Sequence, residues 1–361
     1  MTFLKGVDWV LLLSAIFLSI VGILMIYSSS VLPEEVDLTF VFRQTLFVLF
    51  GLLLYLMVTN IDYRQIVQVA PILYISILIL LGLTFVFGES TRGSVRWIDL
   101  KFITIQASEI AKPIIILALV SFFSKYPPNK LKNTLISLAI VAFPALLVFL
   151  QPDLGNALIL MLLWVIIIFV AGIRFHQIFL FLIISVLTLP FIWSSFRDYQ
   201  KERILSFLNP EKDPLGSGYN LVQSIIAVGS GGLFGRGFGR GTQSQLNFLP
   251  EQKTDFIFAT VAEQLGFFGV LLVLGFFAAI IYRVFSIFNE ARDNIGPLIV
   301  VGVGSLIVIH VFINIGMNLG LLPVTGVTLP LLSFGGSSLI TIMISLGLVN
   351  SVSRYSKRST V

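Results

Sequence analysis

The sequence predicts an all-α integral membrane protein: one polytopic domain over residues 1–361, with ten transmembrane helices and a long extracytoplasmic loop between helices 7 and 8. Three observations carry this. Hydrophobic residues make up 57% of the 361 and charged residues 11%, where a soluble domain has roughly a quarter charged. Apolar runs recur at close to the ~20 residues a helix needs to cross a hydrocarbon core. Short connections alternate between basic and non-basic, as in a chain threaded repeatedly through a bilayer.

The ten runs lie near residues 9–30, 40–58, 66–87, 108–123, 133–150, 155–171, 176–194, 256–284, 297–319 and 333–352. The first is too long for a signal-peptide core and reads as a retained helix. The fourth is short and contains Lys112-Pro113. Lys5, Arg64, Lys125, Lys130, Lys132, Arg174, Arg283, Arg292, Arg354, Lys357 and Arg358 fall on one alternate set of connections and the C-terminal tail. The opposite short connections, 31–39, 151–154 and 320–332, hold no Lys or Arg. Excess basic residues mark the cytoplasmic side, so both termini are expected there. The two longer outside loops, 88–107 and about 195–255, are then the place to look for function.

Composition also excludes. With no cysteine there is no disulfide, thiolate metal site or cysteine nucleophile. The net charge of +5 suits an anionic membrane surface, and nothing resembles a nucleic-acid binder. His176 and His310 are isolated and earn no metal assignment.

Within the loop at 195–255, "YNLVQSIIAVGSGG" has helical apolar spacing and is expected to lie along the membrane interface. The glycine-rich run 229–241 fits neither a dinucleotide fingerprint nor a phosphate loop. It reads either as an interfacial turn or as backbone approaching a phosphate, with Arg236 and Arg240 supplying charge. Asp255 opens the eighth apolar run. Thr254-Asp255 makes a good helix start, and an acid at a membrane boundary also suits a general base. Glu263 lies eight residues on, about 12 Å deeper along a helix. It must face protein or a water-filled cavity, and a structural partner for a buried donor is the preferred reading.

Glu109 and Lys112 are three apart on a helix face. They read as an ion pair, or Lys112 as a point-charge ligand for a lipid diphosphate. Asp153, between Pro152 and Leu154-Gly155, reads first as a helix cap, and Arg43 as a snorkelling cation at the start of the second span. The stretch "NIGMNLGLLPVTGVTLPLLSFGGSSLI" gathers Pro323, Gly326, Pro330, Ser333, Gly335 and Gly336 between two apolar helices. Broken backbone at membrane depth must line a cavity or be buried in protein, so a re-entrant element beside a pocket is expected.

These residues resemble a known family. Asn314, Gly320, Pro323, Gly326 and Ser333 to Ser338 resemble the signature of the SEDS proteins (shape, elongation, division and sporulation). "LPEQKTDFIFATVAEQLGFFG" is similar to a second element of that family, and "RWIDL…IQASEIAK" and "QPDLG" to two more. The match runs in order over nearly the whole chain. It implies a peptidoglycan glycosyltransferase that polymerises lipid II into β-1,4 glycan strands on the outer face of the bacterial cytoplasmic membrane. It places the catalytic aspartate at Asp255. Thr325, where division members tend to carry Lys, resembles the elongation branch. Lys253 departs from a common His, Phe334 from a usual Tyr and Ala107 from a usual Pro.

The implied chemistry inverts an α-linked donor to a β-linked product, so one base suffices. A diphosphate leaves without protonation if cations stabilise it. Lys112, Arg43, Arg236 and Arg240 are the candidates, with Glu109 and Asp153 beside the substrate. A divalent cation, magnesium or manganese, is another source of charge, with Asp153 and Asp255 as ligands; two carboxylates alone specify no metal. A class B penicillin-binding protein, a transpeptidase, is the implied partner. Two other classes fit the bare sequence: a flippase for lipid-linked sugars, and a scaffold without chemistry. A flippase predicts polar residues along a through path, whereas these concentrate on one side.

Overall fold

A computed structural model describes the chain except residues 1–5, 31–36, 92–93, 100–103, 197, 209–216, 247 and 357–361. Each of the ten expected runs holds a helix. They are α1 (Trp9–Ser28), α2 (Thr39–Thr59), α3 (Tyr63–Phe87), α4 (Ala107–Phe123), α5 (Leu131–Leu150), α6 (Leu154–Val170), α7 (Phe175–Ser195), α11 (Ile257–Glu290), α12 (Gly296–Asn318) and α13 (Gly336–Ser356). Between α7 and α11 lie α8 (Asp198–Leu208), α9 (Ser217–Ser230) and α10 (Thr242–Gln245). Seven of the described helices are long and apolar enough to cross a membrane.

Two features correct the sequence reading. The fold is not all-α, because the 88–107 connection is more than a loop. It holds a small antiparallel sheet, β1 (Glu89–Thr91), β2 (Ser94–Asp99) and β3 (Thr104–Gln106), in the order β1-β2-β3. Its strands carry the β-formers Val95, Trp97, Ile98 and Ile105 among polar residues. The eighth run is longer than expected, and Gly266 breaks its helix with φ 68° and ψ −165°.

Hydropathy alone does not rank the helices by depth. The most buried is α13, with 89% of its apolar window inside the protein, followed by α12 at 72%; α2, α3 and α11 stand at 22%. The innermost helix is therefore also the most polar of them. Ser337, Ser338, Thr341, Ser345, Asn350 and Ser351 are all buried in it, as polar groups in a lipid-facing protein must be. Small residues allow close approach. A Cβ on Gly347 would meet the Tyr55 carbonyl at 2.9 Å, so α13 lies tightly on α2.

The bundle has two polar ends. At one, Arg283 pairs with Asp8 (2.5 Å) and Glu290 (2.9 Å). There Asp293 accepts from the Tyr63 hydroxyl (2.5 Å), Arg64 (3.0 Å) and the Gly296 N–H (2.8 Å). The start of α1 and the ends of α2 and α13 meet here, since the Asp8 N–H donates to Asn350 and Arg354 donates to Asn60. Asp255 lies at the opposite end.

Candidate functional site

The backbone at Asp255 is held from two sides. Asn314 and Asn318 lie one turn apart on α12, both fully buried. Their Nδ2 groups both donate to the Asp255 carbonyl, at 2.9 and 3.0 Å. Asn314 Nδ2 also donates to the Val327 carbonyl (2.8 Å). Asn318 Oδ1 accepts the Ala259 N–H (3.1 Å), one of the N–H groups left over at the start of α11. From the other side, the Ser333 hydroxyl donates to the Thr254 carbonyl (2.6 Å) and accepts from the Leu329 N–H (2.8 Å). The Phe334 N–H donates to the Lys253 carbonyl (2.8 Å). Gln44 on α2 ties the loop down, donating to the Ser333 carbonyl and accepting from the Gly335 N–H.

Asp255 itself is half-buried. The cap position of α11 falls on Phe256, one residue past Asp255, and the Phe256 side chain makes no capping bond. Its Oδ2 lies toward Gly326, where a Cβ would stand 3.5 Å away; φ at Gly326 is +75°, a conformation that favours glycine. The 323–335 loop is therefore a wall against the aspartate. The same loop packs on the start of α6, where a Cβ on Gly155 would be 2.9 Å from the Thr325 carbonyl.

Of its two expected roles, ion pair or diphosphate ligand, Lys112 is placed in the ion pair with Glu109. It is fully buried, and its ammonium donates to Glu109 Oε1 (2.6 Å) and to His310 Nε2 (2.9 Å). As placed, it presents no charge to a ligand. Asp153 caps α6. Its Oδ1 accepts the Asn156 N–H, and its Oδ2 accepts from Gln106 (3.1 Å), Ser108 (3.0 Å) and the Asn156 amide (2.9 Å). A carboxylate with that many donors is a poor metal ligand. Among the described residues no three His, Cys, Asp or Glu side chains gather into a metal-binding group.

The glycine-rich run meets protein where a phosphate was one of its expected partners. The Arg236 and Gly237 N–H groups donate to the Glu263 and Gln264 carbonyls, and the Phe267 and Phe268 N–H groups donate to the Gly232 and Leu233 carbonyls. The loop thus satisfies the backbone groups that the break at Gly266 releases. Glycine is needed for the approach. A Cβ on Gly231 would stand 1.9 Å from the Ala262 carbonyl oxygen, and one on Gly235 would stand 2.1 Å from that of Gln264. Glu263, fully buried, accepts the Gln243 (2.7 Å) and Ser244 (3.0 Å) N–H groups.

Of the other cations, Arg236 is exposed and its guanidinium donates to Thr242 and the Ser230 carbonyl. Arg240 and Arg43 are also exposed. Lys253 is half-buried with its ammonium 4.4 Å above the Phe40 ring, and Phe40 in turn packs edge-on to Phe334 at 5.0 Å. Burial pushes the Lys253 ammonium below the ordinary lysine range, against the pull of Asp37. Arg43 and Lys253 both act on Asp37, so two cations flank the mouth of α2 beside the Asp255 segment. Sequence reasoning passed over Gln44, Asn318 and His310. The two amides at 314 and 318, four apart in an apolar run, were a readable signal; a single histidine is not.

A helical bundle of this hydrophobicity, polar at both ends and with a glycine- and proline-rich loop packed beside Asp255 at one of them, is a multi-pass membrane protein. The chain belongs to the SEDS family: residues 8–358 match the FtsW/RodA/SpoVE family of cell cycle proteins. It is 40% identical over 338 residues to the peptidoglycan glycosyltransferase MrdB of Escherichia coli K12, covering 92% of this chain and 91% of that protein. It is 39% identical to the stage V sporulation protein E of Bacillus subtilis, covering 97% of this chain and 98% of the relative. One chain of a peptidoglycan synthase complex, solved for how polymerisation and crosslinking are coordinated, superposes with a TM-score of 0.82 at 31% identity, covering 97% of this chain and 98% of that one. The rod shape determining protein RodA of Thermus thermophilus superposes with a TM-score of 0.72 at 28% identity, covering 96% and 97%.

Proposed function

We propose that this chain is a peptidoglycan glycosyltransferase of the bacterial cytoplasmic membrane. It would polymerise lipid II with Asp255 as general base, crossing the membrane ten times with both termini cytoplasmic and the Asp255 end outside. The carrying observation is that Asp255 is half-buried and sits on backbone clamped by Asn314, Asn318 and Ser333. A clamped backbone holds a base in position before the reaction.

In the reaction, the 4-hydroxyl of an acceptor GlcNAc loses its proton to Asp255 while its oxygen attacks the anomeric carbon of a donor MurNAc. The bond to the lipid diphosphate breaks from the opposite face, and the α linkage becomes β. Asp255 keeps the proton, and the diphosphate leaves as an anion. Arg43 and Lys253 are the cations best disposed to meet that charge; Arg236 and Arg240 are exposed but further along the loop. Thr325 favours the elongation role, and the synthase-complex neighbour supports a class B penicillin-binding protein as partner.

Asp255→Asn should abolish polymerisation of lipid II by the purified protein without lowering its unfolding temperature. Glycan strands made at the parent's rate would refute the mechanism.

A further inference from the structure

We infer that His310, with Lys112 and Glu109, is a positioning unit for the wall of the Asp255 site, and that Lys112 binds no substrate. The inference rests on the glycosyltransferase reading and adds a role for a histidine that the chemistry leaves unused. Lysine ammonium only donates. The 2.9 Å contact between Lys112 Nζ and His310 Nε2 therefore makes Nε2 the acceptor. The ring proton then sits on Nδ1 and donates to the Thr328 carbonyl, 3.1 Å away. This fixes a neutral ring in one tautomer. Glu109 supplies the charge that lets a lysine stay fully buried, bonded at 2.6 Å.

Three successive residues of the loop explain why this matters. Gly326 faces the Asp255 carboxylate. The Val327 carbonyl shares Asn314 Nδ2 with the Asp255 carbonyl. The Thr328 carbonyl is held by His310, and its hydroxyl pairs with Ser338 at 2.8 Å. The buried Lys112–Glu109 pair on α4 thus reaches the aspartate's wall through His310 on α12. A misplacement of about 1 Å at such a wall is enough to lower turnover on the order of a hundredfold.

The experiment compares His310→Leu, which keeps bulk alone, with His310→Gln, which keeps one donor and one acceptor on a neutral group. The readouts are the kcat and KM of lipid II polymerisation, and binding of undecaprenyl diphosphate as a probe. Expected for His310→Leu is a kcat down by about tenfold or more, with KM and probe affinity within about twofold of the parent. His310→Gln should recover most of the rate. Lys112→Met should lower kcat in the same way, and Lys112→Met with His310→Leu should be little worse than either alone, as for residues acting as a unit. Should His310→Leu fail to fold, His310→Asn takes its place, keeping a donor for Thr328 but falling short of Lys112. A normal kcat in the Leu or Asn variant would overturn the inference. So would a loss of probe affinity in Lys112→Met, which would make that lysine a diphosphate ligand after all. Asp255→Asn is assayed in parallel. Polymer from that variant sinks the base alone, while the His310 and Lys112 comparison stands or falls on its own rates.

Discussion

At the scale of single residues, the site depends on amides more than on charges. Each neutral hydrogen bond contributes about 1 kcal/mol net, but a buried carbonyl stripped of its donor costs about 1–3 kcal/mol. Asn318 serves the Asp255 carbonyl and the Ala259 N–H together. Asn318→Ala should therefore cost on the order of 2–3 kcal/mol of stability, and lower kcat more than KM; thermal unfolding and polymerisation kinetics check both. Lys253 makes a different prediction. Burial lowers its pKa below 10.5, so the folded state disfavours its charged form. That penalty is present at neutral pH and fades as pH rises through the folded pKa toward 10.5, where the unfolded chain also loses its proton. Lys253→Met should raise the unfolding temperature at pH 7, with the gain shrinking in alkaline buffer, while slowing polymerisation. An unchanged or lower unfolding temperature at pH 7 would contradict this.

At the scale of elements, the break in α11 and the glycine-rich loop are one construction. A helix interrupted at membrane depth needs partners for its freed backbone groups, and the loop supplies them at Gly232, Leu233, Arg236 and Gly237. Gly231→Ala and Gly235→Ala should each destabilise the protein by roughly 1–3 kcal/mol or more, because backbone must move to admit a methyl. Gly229 is the control. A Cβ there meets nothing within 4 Å, so Gly229→Ala should be neutral or slightly stabilising in a thermal melt. Equal effects at 229 and 231 would mean that the loop does not seat on the break.

At the scale of the whole molecule, the bundle is polar at both ends, but the ends differ in kind. Around Asp293 the charges are paired with one another and join the ends of α3 and α12. Burial raises the Asp293 pKa, but the Tyr63 hydroxyl, the Gly296 N–H and Arg64 outweigh it and hold the carboxyl below 3.8. Its stabilisation is fully present above 3.8 and is lost as pH falls through the lower folded value. Asp293→Asn should lower the unfolding temperature at pH 7 by a few degrees while leaving the KM for lipid II unchanged. At the Asp255 end Arg43 is exposed, and Arg236 and Arg240, further along the glycine-rich loop, are exposed as well. A vesicle assay that scores translocation separately from polymerisation divides the polymerase from a flippase. Translocation without polymer would reverse the functional reading.

The sequence by itself determined the membrane class, the ten helical runs and the family. Hydrophobic run length and linear motifs are local properties, and a bilayer demands helices wherever they occur. Folding decided who meets whom. It buried Lys112 against a histidine 198 residues away, turned a glycine run into the filler of a broken helix, and brought Gln106 and Ser108 onto the Asp153 cap. Those outcomes depend on contacts between distant segments, and a buried group is chosen by the partner that satisfies it, which no single stretch of chain can specify.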